Sequence, residues 1–349
     1  MEDGVENMKA KVSKIVLDGR GSYLGMEKGC FTVRDKDRHV QRFPLFENEI
    51  GEVVLKSGNL VSTGALASLG FWDIDVLIVT QKGKPVAMLK GLDDDSHVKT
   101  RVCQYEALKN GKGMIIAKKI VSSRIESQNL VLRKHSLRQH DLLGIRKAID
   151  ETDSKTKLMG IEGHCSKQYF KQIFQLFPKF MRVENRKTFK AYDGLNNTFN
   201  LAYTVLKWKV YKAIVKAKLE PYLGFLHSEQ FGKPSLVCDF IELYRCFVED
   251  FLIENSGNLR KKDFVMRHEN FSKNRIGQRE YLNNSLTSDL MQKLYCCFES
   301  IVEIPRIKHS KRQTVETLIN EETFLFAKYL RDECENWTPR VALGEPTLF

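Results

Sequence analysis

The sequence lacks several features that would exclude an ordinary globular enzyme. It contains no run of about 18 consecutive apolar residues, so no membrane-spanning helix is expected. The N-terminus, MEDGVENMKAK, lacks the basic start and apolar segment of a secretory signal. No internal repeat or low-complexity tract is present. These absences predict a soluble cytoplasmic protein without a membrane partner.

Paired cysteines are also missing. The eight cysteines form no CxxC pair and no zinc-ribbon spacing. In an intracellular protein, scattered cysteines are typical of reduced thiols that fill the core. The sequence therefore predicts neither a disulfide framework nor a zinc site.

Positive charge is distributed unevenly along the chain. The formal net charge is +12, but residues 1–96 carry 13 Lys and Arg against 15 Asp and Glu. The remaining residues carry 43 against 29, so the basic excess lies entirely after residue 96. A polyanion such as DNA would bind this part. The alternative is a solvated lysine-rich surface with no nucleic-acid partner.

The hydrophobic pattern changes near residue 93, and the length of 349 residues also favours two domains. Residues 13–90 contain short β-branched and aromatic runs separated by Gly, Asp and Asn, with one short helix predicted at STGALASLG. Later segments have helical periodicity. We predict an α+β protein: a small N-terminal all-β domain (1–92), a larger all-α helical catalytic domain (93–310), and a C-terminal helix and tail (311–349). The predicted helices are 98–109, 113–132, 137–151, 155–178, 194–219, 235–254, 284–302 and 311–333, with a loop-rich segment at 256–283.

Two acids interrupt an apolar segment just downstream of a histidine. On a helix that begins near Pro234, Asp239 and Glu242 fall about 60° apart and point the same way. Carboxylates in apolar surroundings are costly unless they are paired or bind a metal. His227 could instead be a hydrogen-bonded loop histidine, and Asp239 an ordinary ion-pair partner of Arg245.

A third acid, Glu162, lies in the apolar helical segment LMGIEGHCSKQYF between two glycines. Glycine inside a helix costs about 1 kcal/mol relative to alanine, so the missing side chains at Gly160 and Gly163 need a reason. Either a neighbouring helix packs closely there, or a ligand must approach Glu162. Together with His227 and an acid from 239–242, Glu162 could form a site for Mg²⁺ or Mn²⁺.

Four segments carry a resemblance to a known family. They are VLDGRGSYLGMEKGCFTV, GIEGHCSKQYF, DGLNNTFNLAYTVL and EPYLGFLHSEQFGKPSLVCDFIELYR. In this order, from about residue 14 to 310, the chain resembles the CRISPR-associated adaptation integrases, the "Cas-one" endonuclease family.

The resemblance implies the residues of a catalytic metal site. Glu162, His227 and Glu242 match the family's catalytic metal ligands, and Asp239 matches an accompanying acid one turn earlier. Many members have Asp at the position of Glu242, which leaves the third ligand open between Asp239 and Glu242. A second departure is Gly194, where the family usually has proline.

The resemblance also implies an activity and partners. The family uses Mg²⁺ or Mn²⁺ to join the 3′-hydroxyl ends of captured DNA fragments to a CRISPR repeat by transesterification, in antiviral defence, and it can cut branched DNA. The β-domain forms a homodimer, and two dimers flank the small "Cas-two" protein. The competing functions are a metal-dependent repair nuclease without integration and a non-catalytic DNA-binding scaffold.

Five basic residues are candidates for DNA contact. Lys209, Lys212 and Lys216 share one face of a predicted helix and would form a basic stripe. Lys233, in the FGKP loop, and Arg245 lie close in sequence to the predicted site. A solvated face or loop is the alternative for the lysines.

Overall fold

Strands dominate the first part of the chain and helices the second, which confirms a mixed α and β protein. The computed structural model describes residues 13–45, 50–81, 83, 85–89, 98–272, 275–303 and 312–340. The chain divides into two compact units, Met1–Ser96 and His97–Phe349, each with its own hydrophobic core. The division falls close to the change in hydrophobic pattern near residue 93.

The first unit contains two four-stranded sheets. Their orders are β1-β5-β7-β8 and β4-β3-β2-β6. The elements of this unit are β1 (Ser13–Leu17), β2 (Tyr23–Glu27), β3 (Cys30–Arg34), β4 (Val40–Pro44), β5 (Ile50–Lys56), β6 (Leu60–Val61), α1 (Thr63–Phe71), β7 (Asp75–Val79) and β8 (Pro85–Leu89).

The short runs predict strands paired in antiparallel hairpins. Only some of the strands pair in this way. The segment β2-β3-β4 is an antiparallel meander, but β5 pairs in parallel with β1 and β7. The central strand β5 is buried along most of its length, as parallel strands are, and its apolar run is Val53, Val54 and Leu55. An apolar run of this kind does not reveal its partner.

The helix predicted at STGALASLG is present as α1. Ser62 caps it by accepting a hydrogen bond from the backbone N–H of Ala65, and Ala65 and Leu69 are fully buried. The first unit is therefore β-rich but not all-β.

The second unit contains eight α-helices among its described residues, at or near the predicted positions. None of these helices is long and apolar enough to cross a membrane. They are α2 (Val98–Ala107), α3 (Lys112–Lys134), α4 (Leu142–Asp150), α5 (Lys155–Ile173), α6 (Gly194–Lys216), α7 (Ser235–Asn255), α8 (Asn284–Glu299) and α9 (Val315–Leu330).

Helix α7 is the centre of the second unit. It packs against α3 and α6, and α3 packs in turn against α5. Its sequence, SLVCDFIELYRCFVEDFLIEN, is apolar on nearly every side, which is typical of a helix enclosed by others. The predicted start near Pro234 is confirmed, because Pro234 is the N-cap of α7. Acids on this helix are therefore carried into a buried setting.

The prediction that the second unit is all-α is wrong. The segment expected to be loop-rich instead forms a hairpin, in which FVMRHENFS pairs antiparallel with RIGQREYL. A second short antiparallel pair precedes α9. The four strands are β9 (Phe264–Ser272), β10 (Arg275–Leu282), β11 (Ile301–Glu303) and β12 (Arg312–Thr314).

The β9-β10 hairpin explains the glycine at position 194. A Cβ on Gly194 would lie 2.4 Å from the ring of Phe264 on β9. The backbone N–H of Gly194 donates to Glu280 Oε2 on β10 at 2.9 Å, a hydrogen bond that proline could not make. The hairpin thus packs on the start of α6 in place of a proline turn.

The segment after α9 is not a tail as far as it is described. Trp337 is 2% exposed, and its ring stacks on Phe240 of α7 at a centroid distance of 5.9 Å. Its Nε1–H donates to the carboxylate of Glu322 at 2.6 Å. The remainder of the predicted tail, 341–349, lies outside the described residues.

The eight cysteines are all free, as predicted. Cys165 and Cys246 are buried, and burial raises the pKa of the Cys165 thiol to about 11. Both are inert core residues at neutral pH because only the thiolate is reactive.

Candidate functional site

The three predicted ligand residues come from different segments of the second unit. Glu162 lies in the middle of α5, His227 in the loop between α6 and α7, and Glu242 two turns into α7. Their charges act on one another. Burial raises the pKa of Glu242 and the Glu162 carboxylate adds to the rise, whereas neighbouring arginines and His227 oppose it. The fold thus brings the three side chains into one electrostatic neighbourhood.

A buried carboxylate, Asp239, holds the loop that carries His227. Asp239 Oδ2 accepts hydrogen bonds from the backbone N–H groups of Phe225, at 2.6 Å, and Leu226, at 3.0 Å. Asp239 Oδ1 accepts from the backbone N–H of His227 at 3.0 Å and lies 2.7 Å from its Nδ1. Gly224 permits this approach, because a Cβ there would lie 2.9 Å from Asp239 Oδ2.

This arrangement orients the imidazole of His227. With Nδ1–H donated to Asp239, Nε2 is left to bind a ligand, as in histidines that ligate metals. Burial alone would lower the pKa of His227, but the hydrogen bond and charge of Asp239 outweigh it and raise the pKa. Both oxygens of Asp239 are already engaged, which argues against the predicted direct metal role of Asp239 and favours Glu242 as the third ligand.

Glu242 has a different environment. Its Oε2 lies 2.9 Å from Nη1 of Arg245 and 3.5 Å from Nε of Arg124. Neither contact is aligned as a hydrogen bond, and Oε2 is buried without a hydrogen-bond partner. Glu242 is only 4% exposed, so it combines ion pairing with an unused lone pair in a dry setting.

Glu162 is held from α5 and α3. Its Oε1 accepts a hydrogen bond of 2.5 Å from Ser166 Oγ, which accepts one of 2.8 Å from Gln128 Nε2. Donor atoms of Glu162, His227 and Glu242 do not all lie within 4.8 Å of one another. Donors of a single ion at about 2.0–2.3 Å would be closer than this, so the carboxylates must turn inward to share one.

The donor types nevertheless fit a divalent cation. Two carboxylates and one imidazole are a suitable set for Mg²⁺ or Mn²⁺, with the imidazole favouring Mn²⁺. Glu242 Oε2 has no hydrogen-bond partner and the imidazole of His227 is oriented by Asp239, so both can offer a donor atom to a ligand. The site is therefore suited to a metal by its chemistry.

A buried ion-pair network supports Glu242 from behind. Arg124 is fully buried on α3, and its Nη1 and Nη2 donate to the two oxygens of Glu249 at 3.1 and 2.6 Å. The hydroxyls of Tyr169 and Tyr203 also donate to Glu249, at 2.8 and 2.7 Å. Glu249 is thus fully satisfied, and Arg124 is fixed where its Nε faces Glu242. This network could not be predicted from the sequence, where an arginine on the apolar face of α3 is its only signal.

The predicted basic stripe on α6 is not a free surface. Lys209 Nζ donates to Glu316 of α9 at 2.6 Å, and Lys212 lies 3.3 Å from the same carboxylate. Lys216 also has an interacting partner. DNA contact by this stripe stays a prediction, and the pairing with Glu316 argues against it.

The other two predicted DNA-contact residues lie at the site. Arg245, with its side chain 28% exposed, stacks 5.0 Å from the ring centroid of Tyr203 while its guanidinium reaches Glu242. Lys233 is near enough for its charge to oppose the rise in the pKa of His227. Both cations could meet a phosphate that approaches the three ligand residues.

The glycines beside Glu162 face open space. A Cβ at Gly160 or Gly163 would meet no atom within 4 Å, so packing within this chain does not require them. Gly160 lies on an open groove between α4 and α5. Basic and imidazole side chains lining this groove are Arg138, His140, Lys157, His164 and Lys171.

A second acidic cluster, in the first unit, has a local structural role. Asp35 accepts hydrogen bonds from the backbone N–H groups of Asp37 and His39 and closes the turn between β3 and β4. The donor atoms of these three residues lie within 4.8 Å of one another. Because the cluster is exposed and its bonds are those of an Asx turn, it gives no reason to expect a metal there.

Several solved structures have the same fold as this chain. A casposase bound to its integration product matches with a TM-score of 0.73 and 20% identity, covering 93% of this chain and 92% of that one. A Cas1 protein from Thermotoga maritima matches with a TM-score of 0.70 and 20% identity over 91% and 97% of the two chains. One chain of a Cas6-RT-Cas1–Cas2 complex matches over 94% of this chain and 36% of its own length, at 19% identity and a TM-score of 0.68.

Sequence similarity shows the family. The profile of the family described as CRISPR associated protein Cas1 matches residues 15–291, and this chain therefore belongs to that family. The CRISPR-associated endonuclease Cas1 2 of Saccharolobus solfataricus is 28% identical over 69% of this chain and 74% of its own. The corresponding protein of Chlorobaculum tepidum is 24% identical over 96% and 99%. The resemblance found in the sequence is confirmed.

Proposed function

We propose that this protein is a metal-dependent DNA endonuclease and integrase of CRISPR adaptation. In this function it joins the 3′-hydroxyl ends of captured DNA fragments to a CRISPR repeat by transesterification. The observation that carries the proposal is the grouping of Glu162, His227 and Glu242 in one electrostatic neighbourhood, with His227 oriented by Asp239. Relatives named CRISPR-associated endonucleases, and a casposase solved with its integration product, support it.

Glu162, His227 and Glu242 would hold one Mg²⁺ or Mn²⁺. Such an ion, when bound, supplies positive charge that stabilises the reacting phosphate and favours loss of the proton from the attacking hydroxyl. Asp239 keeps the imidazole of His227 in the tautomer that leaves Nε2 for ligation. Arg124 keeps Glu242 facing the site, because its other nitrogens are fixed by Glu249.

Two surfaces would bind the DNA. Lys233 and Arg245 would contact phosphates at the reacting position. The groove between α4 and α5 would hold a flanking stretch of backbone, since no described residue forms an ion pair or hydrogen bond with the side chains of Arg138, Lys157 and Lys171. Glycines on the open face of α5 let the backbone come close to the helix.

The groove can be tested through salt dependence. Replacing Arg138, Lys157 and Lys171 together by glutamine should weaken DNA binding and reduce the slope of log K against log salt by up to about 3. Lys187, Lys293 and Lys328 are exposed elsewhere, and their triple glutamine variant is the charge-matched control. An equal loss in both variants would mean that net charge, not the groove, determines binding.

The partners form a separate part of the proposal. Residues 1–92 would mediate a homodimer, and two dimers would assemble with a dimer of the small Cas2 protein. The near-neutral charge of residues 1–96 suits a protein contact better than a DNA contact. A Cas1–Cas2 complex among the solved structures of this fold supports the assembly.

The decisive experiment compares strand transfer with DNA binding. Glu162→Gln and His227→Ala should abolish Mn²⁺-dependent joining of a fragment to repeat DNA and leave binding in a gel-shift assay nearly unchanged. Asp37→Asn, an exposed acid in the first unit, is the control and should join normally.

The same experiment separates the alternative functions. Cleavage that depends on Glu162 but yields no branched strand-transfer product, with or without Cas2, would indicate a repair nuclease. Joining that survives both site substitutions would exclude the proposed centre, and the chain would then be a DNA-binding scaffold for joining that another component catalyses.

A further inference from the structure

The loop between His227 and α7 presents one aromatic ring at its tip. Residues 230–233 form a tight turn in which the backbone N–H of Lys233 donates to Gln230 O at 3.0 Å. Gly232 occupies its third position with a φ of +73°, a conformation that favours glycine. Phe231 is therefore placed at the outermost position of the turn, where it is fully exposed.

Both ends of this loop are anchored. His227 is held by Asp239 through its backbone N–H and its ring. At the other end, the Ser235 hydroxyl donates to the carbonyl of Ser228 at 3.0 Å, and the buried Pro234 begins α7. The turn is thus a fixed extension of the site, and Phe231 projects from it only four residues from the histidine that would ligate the metal.

The surroundings of Phe231 indicate what it would contact. Its neighbours Ser228, Glu229 and Gln230 are exposed and polar, so the apolar area at the tip is a single ring. One ring cannot form the apolar centre of a protein interface, which needs several hundred Å² on each side. It is sufficient for one nucleobase, and Lys233 in the same turn supplies a charge for the adjoining phosphate.

We propose that Phe231 stacks on a nucleobase of the DNA next to the reacting phosphate and so positions that strand against His227. This inference rests on the proposed function and specifies how the same site holds its substrate. Stacking does not depend on base identity, because every base has a flat π face. Phe231 would therefore select an unstacked base, as at a DNA end or branch, and not a sequence.

Photocrosslinking tests the contact directly. Repeat and fragment DNA carrying 5-iodouracil at successive positions around the junction would be bound to the full-length protein and irradiated, and the crosslinked peptide identified by mass spectrometry. We expect one position to crosslink to Phe231 in the wild-type chain and in Glu162→Gln. No crosslink to residues 228–233 from any position would overturn the proposal.

Kinetics test the consequence for joining. Phe231→Ser should lower joining roughly tenfold at subsaturating DNA, with most of the loss in KM, and Phe231→Trp should restore it. Phe71→Ser, which removes an exposed ring in the first unit, should join normally. Unchanged joining by Phe231→Ser would contradict the proposal, as would a change in Cas2 binding or dimer mass with DNA binding intact.

The results distinguish this inference from the proposed function. A crosslink at Phe231 in a wild-type protein that cannot join DNA would keep the stacking contact and remove the integrase function. Normal joining that does not change when Phe231 is replaced would keep the integrase function and exclude the stacking contact.

Discussion

The His227 side of the candidate site is held by hydrogen bonds to Asp239, whereas the Glu242 side is held by ion pairs. Asp239 and Glu242 are one turn apart on α7, yet Asp239 takes part in four directed contacts and Glu242 Oε2 in none. The comparison teaches that the loop with His227 is held rigidly by Asp239, whereas Glu242 keeps a carboxylate oxygen available for a cation. Four substitutions test this difference.

The largest effect should come from removing the cation behind Glu242. Arg124→Met would leave Glu249 and Glu242 buried without their shared partner, so we expect the free energy of unfolding to fall by about 3–5 kcal/mol. Denaturant unfolding measures this. Glu249→Leu in the same background should recover much of the loss, and no recovery would show that Arg124 stabilises the unit by packing instead of charge.

Glu242→Gln addresses the available carboxylate itself. The substitution keeps the shape of the side chain but removes its charge, so joining should fall by roughly 10²–10³-fold or more, while binding of DNA changes little. Single-turnover joining at saturating Mn²⁺ measures the loss. A rate that recovers fully at high Mn²⁺ would show that Glu242 contributes only to metal affinity.

Asp239→Asn tests the hydrogen bonds that hold His227. We expect metal affinity to fall by about 10–100-fold, because Asp239 acts through the ligand it orients. Asp239 raises the pKa of His227, and without it burial would lower that pKa. The neutral imidazole needed for ligation would then persist to lower pH, so the acidic limb of the pH–rate profile should move down. An acidic limb that moves to higher pH or does not move would contradict the contact between His227 Nδ1 and Asp239.

The smallest effect should come from Arg245→Met. Its guanidinium lies 2.9 Å from Glu242 Oε2 and opposes the approach of a metal ion. Removing this charge should raise the apparent affinity for Mn²⁺ a few-fold, because the Arg245 side chain is partly exposed and solvent screens most of its repulsion of a cation. Isothermal titration with Mn²⁺ in the absence of DNA would measure it. Weaker binding would show that Arg245 holds Glu242 in the ligating orientation.

Local pattern predicted much of this architecture. The helical periodicity gave α3, α6 and α7 within a few residues, because each has an apolar face over several turns and a clear start, such as Pro234. Glu162, His227 and Glu242 could be selected because acids inside apolar helices require an explanation. Their grouping in one neighbourhood followed from the family resemblance and not from spacing.

What escaped prediction depends on contacts between residues far apart in sequence. The Arg124 to Glu249 pair spans 125 residues, and the Lys209 to Glu316 pair spans 107. No local pattern indicates that a lysine on α6 will meet an acid on α9. The β9-β10 hairpin was missed for another reason, because neither strand alternates polar and apolar residues.

The packing of Trp337 on Phe240 predicts that truncated chains lose support for the site. Phe240 is the residue after Asp239, so the indole braces the turn of α7 that carries both site acids. A premature stop codon between positions 242 and 337 would keep Glu162, His227 and Glu242 in the polypeptide. It would remove Trp337 and so expose Phe240 on α7, the helix that carries Glu242. A mutation about a hundred codons after Glu242 would thus reduce the activity without changing any proposed ligand.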